Sequence, residues 1–224
     1  MKTFKIKSYC KINLSLSVLK KLKNGYHNIR SLITFCNIYD EIFISEIKGF
    51  QDKVSFSGRF KKGIDKKVNT ITKALELFRK KKLIKKKAFN IEVKKNIPHG
   101  SGLGGGSSNA AFLLNYLNLK MKLNLNNNIL NRYASKIGSD VKVCLQKKNT
   151  FITGERNQIL RSKKKFNLNL IIVYPNIICS TSKIYKKNKK MNSQKKKVNF
   201  PTKKKLFKFL ENEKNDLQNI VVAT

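Results

Sequence analysis

Acidic residues are scarce in this 224-residue chain, which has 12 Asp and Glu against 50 Lys and Arg and a formal net charge of +38. Dense positive charge attracts polyanions, so a nucleic-acid-binding protein is one interpretation. Arginine, which most often reads phosphates and base edges, occurs at only a handful of positions, and the lysines are spread along the chain. Lys, Asn and Ile share A/T-rich codons. We therefore attribute the charge to an A/T-biased genome and expect no specific nucleic-acid partner, with nucleic-acid binding kept as an alternative.

Cysteine and histidine are few and far apart, which excludes the usual ligand spacing of a structural zinc site. They are Cys10, Cys36, Cys144 and Cys179, with His27 and His99. Reduced thiols in a cytoplasmic protein are the expected state. No apolar stretch reaches the roughly 18–20 residues that a membrane helix needs, so we expect no membrane partner. The N-terminus lacks a signal-peptide hydrophobic region, and no leader is expected because recognisable sequence begins close behind Met1.

Alternation of apolar and polar residues predicts a series of strands. The first covers residues 4–19 and is followed by Asn24-Gly25, a strong turn signal. The others lie within residues 32–47, 49–60, 85–98, 149–160 and 168–175. In the strand before the glycine-rich segment, three apolar residues point to one side: Phe89, Ile91 and Val93.

From Asn69 the hydrophobic period becomes helical, with Asn69 or Thr70 as the N-cap. The apolar face of this helix is formed by Ile71, Ala74, Leu75 and Phe78. Further helices are predicted at about 107–119, within 126–138 ending at Gly138, and from 203 onward. The Lys-, Asn- and Ser-rich stretch Lys183–Lys205 predicts a long mobile loop. These elements indicate an α+β fold with mostly antiparallel strands.

The segment Ile97–Leu117, IPHGSGLGGGSSNAAFLLNYL, places five glycines within seven positions ahead of an apolar helical run. It is not a Walker A motif, because Gly-Ser stands where Lys-Ser/Thr is required. Its letters fit GxGxxG, but the preceding strand alternates and no acidic residue lies between Glu92 and Asp140 to bind a ribose. The remaining interpretation is a loop entering a helix N-terminus, where free N–H groups and the helix dipole favour an anion. We predict a polyphosphate site, with hydroxyls from Ser107 and Ser108, rather than a flexible linker.

Asp140 is the only carboxylate between Glu92 and Glu155, which makes it a candidate base for chemistry at that site. An Asp after Gly-Ser is more often a turn or cap residue. Lys11, in CKINLSL, is a lone lysine among apolar positions of a predicted strand, and a solvent-facing position is its ordinary interpretation. The residues alone leave both alternatives open.

Five segments in order resemble the GHMP kinase superfamily: CKINLSLSVLKKLKNGYHNIRSL, NTITKA, IPHGSGLGGGSSNAA, IGSDVKVCL and TGERNQIL. YPNIICSTSKIY and ENEKNDL follow them, so the resemblance covers essentially the whole chain. It implies a two-lobe α+β fold, with a ribosomal protein S5 domain 2-like lobe over 1–148 and an incomplete ferredoxin-like lobe over 149–224. The Gly-Tyr-His segment with the glycine loop resembles members that phosphorylate the 2-hydroxyl of a cytidine diphosphate-linked methylerythritol in the non-mevalonate isoprenoid (terpenoid) pathway.

The resemblance implies phosphoryl transfer from ATP accompanied by Mg²⁺, with Asp140 as the base and Lys11 keeping it ionised and offsetting developing negative charge. The residues that match ATP-binding positions are Asn69, Lys95, Pro98, Gly100, Gly102, Leu103, Gly104, Gly105, Gly106, Ser107, Ser108 and Asn109. Those that match substrate-binding positions are Asn13, Tyr26, His27 and Tyr185. The three with rings match cytosine contacts. No carboxylate cluster indicates a dedicated metal site.

The chain departs from the superfamily pattern in two places. The family's Asp-Val-Pro-Phe-Phe reads Asp140-Val141-Lys142-Val143-Cys144, which loosens the backbone after the predicted base and alters its packing. A third glycine-rich motif of the Ser-Gly-Ser-Gly type does not follow Asn215-Asp216-Leu217, so we expect an incomplete second lobe. Three explanations stay open: a degraded gene, an incomplete sequence, and a minimal enzyme completed by a partner or a homodimer. The alternative to an active kinase is therefore a non-catalytic remnant or a partner-dependent subunit.

Overall fold

The computed structural model describes residues 2–23, 25–85, 87–153, 158–162, 166, 168–189, 191–192, 202 and 205–223. The chain forms two compact units, neither continuous in sequence. The first contains Met1–Lys11, Cys36–His99 and Leu103–Lys147, and the second contains Ile12–Phe35, Gly100–Gly102 and Lys148–Thr224. The predicted division at residue 148 cuts the chain once, whereas the second unit also takes in residues 12–35 and 100–102.

Two long strands, β1 (Thr3–Lys21) and β2 (His27–Ile47), pair with each other, and each contributes residues to both units. The turn between them is closed by the Leu22 N–H, which donates to the Tyr26 carbonyl over 2.7 Å. Gly25 has φ +81°, a left-handed conformation that glycine adopts without steric cost. The first predicted strand is thus confirmed, while Asn24 of the predicted turn lies outside the described residues.

In the first unit, β4 (Ala88–Lys94) pairs antiparallel with the second half of β2, from Glu41 opposite Lys94 to Ile47 opposite Ala88. β3 (Lys53–Ser57) lies parallel to β4 on its other side. The predicted inward-facing residues of β4 are all buried: Phe89, Ile91 and Val93. Alternation therefore predicted both the strand and its buried face.

Two helices of the first unit begin behind the predicted asparagine caps, whereas a third begins at Gly105, two residues before the predicted start. Helix α1 (Thr70–Lys80) starts in a capping box in which the Asn69 side chain accepts hydrogen bonds from the Ile71 and Thr72 N–H groups. Its predicted apolar face is buried. Helix α2 spans Gly105–Lys120 and α3 spans Asn127–Ile137, which ends before Gly138 as predicted. A short helix that was not predicted, α4 (Val141–Cys144), follows.

The core of the first unit lies between its strands and helices. Helix α1 packs against α2 and α3, and α4 packs against the same two helices. Rings join β1 to α2, where Tyr9 lies 6.1 Å from Phe112 between centroids. Both the strands and the helices of this unit contribute fully buried side chains: Ile42, Ile44, Phe78, Ile91, Leu113, Leu114 and Leu117.

In the second unit, β5 (Thr150–Thr153) pairs antiparallel with the first half of β2, and β6 (Gln158–Arg161) pairs antiparallel with β5. Three short helices follow: α5 (Thr181–Lys187), α6 (Leu206–Glu211) and α7 (Gln218–Val222). One apolar cluster joins Leu16 and Val18 of β1 to Ile184 and Leu217. No helix in the described part of the chain is long and apolar enough to cross a membrane.

Two secondary-structure predictions in the second unit are wrong. Residues 168–175 were expected to form a strand but have no strand pairing, and Ile171 and Val173 are 94% and 83% exposed. The predicted loop Lys183–Lys205 begins inside α5, because the Ser180 side chain caps this helix and Ile184 packs in the apolar cluster. Residues 193–201 of that loop, and 154–157 of the TGERNQIL segment, lie outside the described residues.

Candidate functional site

The predicted phosphate loop in the first unit ends where α2 begins. Gly104 is the N-cap of α2 and has φ +69°, the left-handed region that favours glycine. The first N–H groups of a helix have no acceptor within it, and the helix dipole places partial positive charge at this end. A helix of 16 residues that begins at Gly105-Gly106 therefore presents backbone donors without side chains in front of them.

Lys11 lies across this loop. Its backbone N–H donates to the Leu103 carbonyl over 3.0 Å, and the residue is 6% exposed. A Cβ at Gly104 would lie 2.8 Å from Lys11 Cγ and 3.0 Å from Cε. Only glycine therefore leaves room for the Lys11 side chain, and a solvent-facing interpretation of this lysine is wrong.

The Lys11 ammonium reaches Asp140, with Nζ 3.3 Å from Oδ2. The Asp140 side chain is 36% exposed, whereas that of Lys11 is 8% exposed. Asp140 lies in a turn as the N-cap residue of α4, in line with the turn or cap interpretation, but its side chain makes no capping hydrogen bond. Lys142, at the family's proline position, is a second cation near this carboxylate. Burial lowers the pKa of Lys142, and the charge of Asp140 partly opposes that shift.

A buried ion pair lies next to the glycine loop. Its lysine was predicted as a nucleotide-binding residue, whereas its carboxylate was not predicted. Lys95 is 3% exposed and pairs with fully buried Asp40, whose other oxygen accepts from the Asn96 and Ile97 N–H groups over 2.7 and 2.8 Å. Burial lowers the pKa of Lys95, and the Asp40 carboxylate opposes that shift. A Cβ at Gly105 would lie 3.2 Å from Lys95 Nζ, so this ammonium sits at the start of α2.

Several predicted nucleotide residues have structural partners of their own. The Asn69 amide donates to the Asp65 and Lys66 carbonyls while its oxygen caps α1. The Ser108 hydroxyl donates an internal hydrogen bond to the Tyr9 carbonyl over 2.5 Å. Sequence reasoning considered Thr70 only as a possible N-cap and missed its contact with the loop.

Thr70 ties α1 to the glycine loop, because its hydroxyl donates to the Gly106 carbonyl over 2.6 Å. Its position directly after the Asn69 cap was the available sequence signal. Asn109 is 2% exposed, and within the described residues its Oδ1 has no hydrogen-bond partner. Pro98, Leu103 and Ser107 are half-buried around the loop.

The second unit brings together two of the predicted base-binding residues. The rings of His27 and Tyr185 stack with centroids 5.2 Å apart and an interplanar angle of 29°. His27 is 9% exposed, and burial, followed by the charge of Lys21, lowers its pKa, so the neutral imidazole is favoured. Tyr26, which precedes His27 in the sequence, is 62% exposed. Residues 158 places apart in the chain thus form one aromatic pair.

The other predicted residues of the second unit are held by hydrogen bonds. Asn13 Nδ2 donates to the Ser31 hydroxyl over 2.7 Å, and that hydroxyl donates to the Ser15 carbonyl. The Gly100 carbonyl accepts from the Cys179 N–H over 3.0 Å. Gly102 has φ +76° and no atom within 4 Å of an added Cβ.

The Asn215-Asp216-Leu217 segment docks on β1 in the second unit. Asp216 Oδ2 accepts from the Val18 N–H over 2.8 Å, and Asn215 forms a parallel bridge with Leu16. Nearby, Arg30 Nη2 donates to both carboxylate oxygens of Glu213, over 3.0 and 2.9 Å, and both side chains are less than a tenth exposed. The Asn215-Asp216-Leu217 segment therefore has a structural role, because it attaches the C-terminal part of the second unit to β1.

Comparison with known proteins places this arrangement in a family. The description "GHMP kinases N terminal domain" matches residues 69–148. The chain is 42% identical over 224 residues to the 4-diphosphocytidyl-2-C-methyl-D-erythritol kinase of Pelagibacter ubique (strain HTCC1062), covering 99% of this chain and 78% of that protein. It is 34% identical over 230 residues to the enzyme of that name from Wolbachia pipientis wMel, covering 100% of this chain and 78% of that protein.

The fold agrees with these matches. A crystal structure of 4-(cytidine 5'-diphospho)-2C-methyl-D-erythritol kinase superposes with a TM-score of 0.67 at 23% identity, covering 96% of this chain and 76% of that one. The predicted α+β GHMP-kinase fold is thereby confirmed. The chain therefore belongs to the 4-diphosphocytidyl-2-C-methyl-D-erythritol kinase family of the GHMP kinases.

Proposed function

We propose that this protein transfers the γ-phosphoryl group of ATP to the 2-hydroxyl of 4-diphosphocytidyl-2-C-methyl-D-erythritol, a step in the non-mevalonate isoprenoid precursor pathway. The observation that carries the proposal is the Lys11–Asp140 ion pair, at 3.3 Å, formed by a lysine that lies across the glycine loop at Gly104. Family membership supplies the reaction, and this pair supplies the groups that perform it.

The N-terminal end of α2 suits the phosphates of ATP. Gly104, Gly105 and Gly106 leave the backbone open to close approach, and first-turn N–H groups at a helix N-terminus bind phosphate. The Lys11 and Lys95 ammonium groups add positive charge on either side of this turn. Mg²⁺ is a hard cation that commonly binds through substrate phosphates with few protein carboxylates, and when bound it neutralises charge on them.

Asp140 acts as the general base. Its carboxylate is partly exposed, so an incoming hydroxyl can donate to it, and phosphoryl transfer needs such a group to orient the nucleophile and accept its proton. The Lys11 ammonium offsets the negative charge that develops on the attacking oxygen. Because the Lys11 side chain is buried against Gly104, its position is fixed before the substrate arrives.

The aromatic residues of the second unit bind the cytosine. A cytosine ring offers two flat faces and an edge with both donors and acceptors. The stacked His27 and Tyr185 rings provide a flat aromatic surface, and the neutral imidazole favoured by burial has one donor and one acceptor nitrogen. Tyr26 and the amide of Asn13 supply further contacts to the substrate.

The direct test incubates the purified chain with Mg-ATP and the diphosphocytidyl substrate and follows the phosphorylated product by mass spectrometry. Asp140→Asn should lower turnover by about 10²–10⁴-fold, the usual contribution of a positioned base. Glu46→Gln is the matched control, because it also converts a carboxylate to an amide and breaks a lysine ion pair, with Lys87 at 2.8 Å. ATP binding, measured separately by calorimetry, should survive both substitutions.

Two results would contradict the proposal. One is a folded wild-type chain that binds ATP but forms no product, which is the behaviour of a non-catalytic remnant. The other is unchanged turnover in Asp140→Asn, which would remove this carboxylate from the chemistry.

A further inference from the structure

Two thiols of the first unit face each other across neighbouring strands. Cys10 on β1 and Cys36 on β2 have their Sγ atoms 2.7 Å apart. Cys10 is fully buried, whereas Cys36 is half-buried. A disulfide bond is about 2.05 Å long, so the two sulfurs need to approach each other by less than about 1 Å. The two sulfurs are thus placed to bond without a rearrangement of the strands.

The surroundings make the two thiols chemically different. The hydrogen bond between the two thiols lowers the pKa of Cys36. Burial opposes that shift, and a backbone hydrogen bond at Ile38 and the charge of Lys147 lower the pKa further. The same hydrogen bond, together with burial, raises the pKa of Cys10. Lys147 is held close by, with its ammonium 3.3 Å from the centre of the Tyr9 ring. Cys36 therefore has the thiolate character of a reactive cysteine, and Cys10 stays protonated beside it.

We propose that Cys10 and Cys36 form a redox-modification site at which a hydroperoxide converts the two thiols into a disulfide. The Cys36 thiolate attacks the terminal peroxide oxygen, the O–O bond breaks, and hydroxide or alkoxide leaves, giving a sulfenic acid on Cys36. Cys10 sulfur then attacks Cys36 sulfur, the S–O bond breaks, and the Cys10 proton leaves with the hydroxyl as water. Two electrons pass from the thiol pair to the peroxide, and a dithiol reductant reverses the step.

Cys144 and Cys179 provide internal references. Cys144 is fully buried in α4, and Cys179 is half-buried in the second unit. The Cys144→Ser/Cys179→Ser double variant therefore leaves the proposed pair as the only thiols to be counted.

The test exposes the wild-type chain and this double variant to increasing hydrogen peroxide, then denatures them in N-ethylmaleimide and measures intact mass. We expect Cys10 and Cys36 to lose their alkylation together, with loss of two hydrogen atoms and full recovery after dithiothreitol. Trypsin should release SYCK joined to SLITFCNIYDEIFISEIK from the oxidised wild-type chain. In Cys10→Ser, oxidation of Cys36 should stop at a sulfenic acid that dimedone traps.

The proposal is overturned if both thiols stay alkylatable at peroxide concentrations that oxidise free glutathione. It is equally overturned if Cys36 proceeds to sulfinic acid in the wild-type chain while Cys10 remains a thiol. The cross-linked peptide is sought in the unsubstituted protein, so a variant that fails to fold does not decide the result. The measurement involves no nucleotide or substrate, so its outcome is independent of the proposed kinase reaction.

Discussion

Gly104→Ala is the substitution for which the structure gives the sharpest expectation. Gly104 has φ +69°, and an added Cβ would meet Lys11 Cγ at 2.8 Å. An alanine in the left-handed region costs about 1–2 kcal/mol. The contact itself is with the middle of a flexible side chain, so Lys11 moves rather than the backbone. The variant should fold with a modest loss of stability and a displaced Lys11.

The displacement can be estimated from the distances. Carbon atoms pack best at about 3.5–4.0 Å, so a contact of 2.8 Å must lengthen by roughly 1 Å. A misplacement of about 1 Å in a catalytic group can lower turnover about 10²-fold. The proposed role of Lys11 beside Asp140 therefore predicts a turnover loss of about that size. A stability loss of about 1–2 kcal/mol alone would leave turnover nearly unchanged, because a protein with a stability of about 5–15 kcal/mol stays folded.

Gly63→Ala is the matched control, because Gly63 has φ +81° but no atom within 4 Å of an added Cβ, and it lies outside the predicted ATP-binding and substrate-binding residues. Urea unfolding should give similar stability losses for the two variants, and product formation should be much lower for Gly104→Ala. Equal turnover losses in the two variants would refute the reasoning, since both carry the same backbone strain and only one displaces Lys11.

Three further outcomes are expected. In a double-mutant cycle followed by urea unfolding, Lys95→Met and Asp40→Asn should each lower the free energy of unfolding by about 3–5 kcal/mol. The double variant should lose clearly less than the sum of the two, whereas additive losses would argue against a buried ion pair. Burial lowers the pKa of His27 below its unfolded value, so the unfolded state binds more protons. The stability of the wild-type protein should therefore fall as pH drops below about 6.5, and His27→Gln should show a weaker fall in the same unfolding series. Tyr185→Ala should weaken binding of the diphosphocytidyl substrate in calorimetry by about 1–3 kcal/mol without changing ATP binding, with Tyr185→Phe close to wild type.

Sequence patterns predicted the helices and strands whose form depends on residues close together in the chain. The face of α1 and its start at Asn69 follow from side chains within a few residues of each other, and so does the buried side of β4. The strand expected at 168–175 failed for the opposite reason. An apolar run becomes a strand only when another strand offers backbone partners, and Ile171 and Val173 are exposed instead.

The geometry of the candidate site depended on contacts that no local pattern records. The burial of Lys11 results from Leu103 and Gly104, more than 90 positions later in the chain, and the resemblance to a family brought Lys11 to attention where its strand context did not. Asp40 was missed altogether. A carboxylate in the middle of an apolar strand of an acid-poor chain was a usable signal, because such a group is buried only when it is paired.

The burial of individual lysines distinguishes those that reflect the composition of the chain from those that have a function. The lysine-rich composition is a surface property, since in the described part of the chain only two lysines are buried, Lys11 and Lys95. Burying an ammonium is costly unless a carboxylate compensates, and each of these two has one, Asp140 and Asp40. Both side chains also lie against consecutive glycines at the start of α2. A codon bias distributes lysines without regard to burial, so it does not account for two compensated lysines converging on one helix N-terminus, whereas the binding and transfer of a phosphoryl group does.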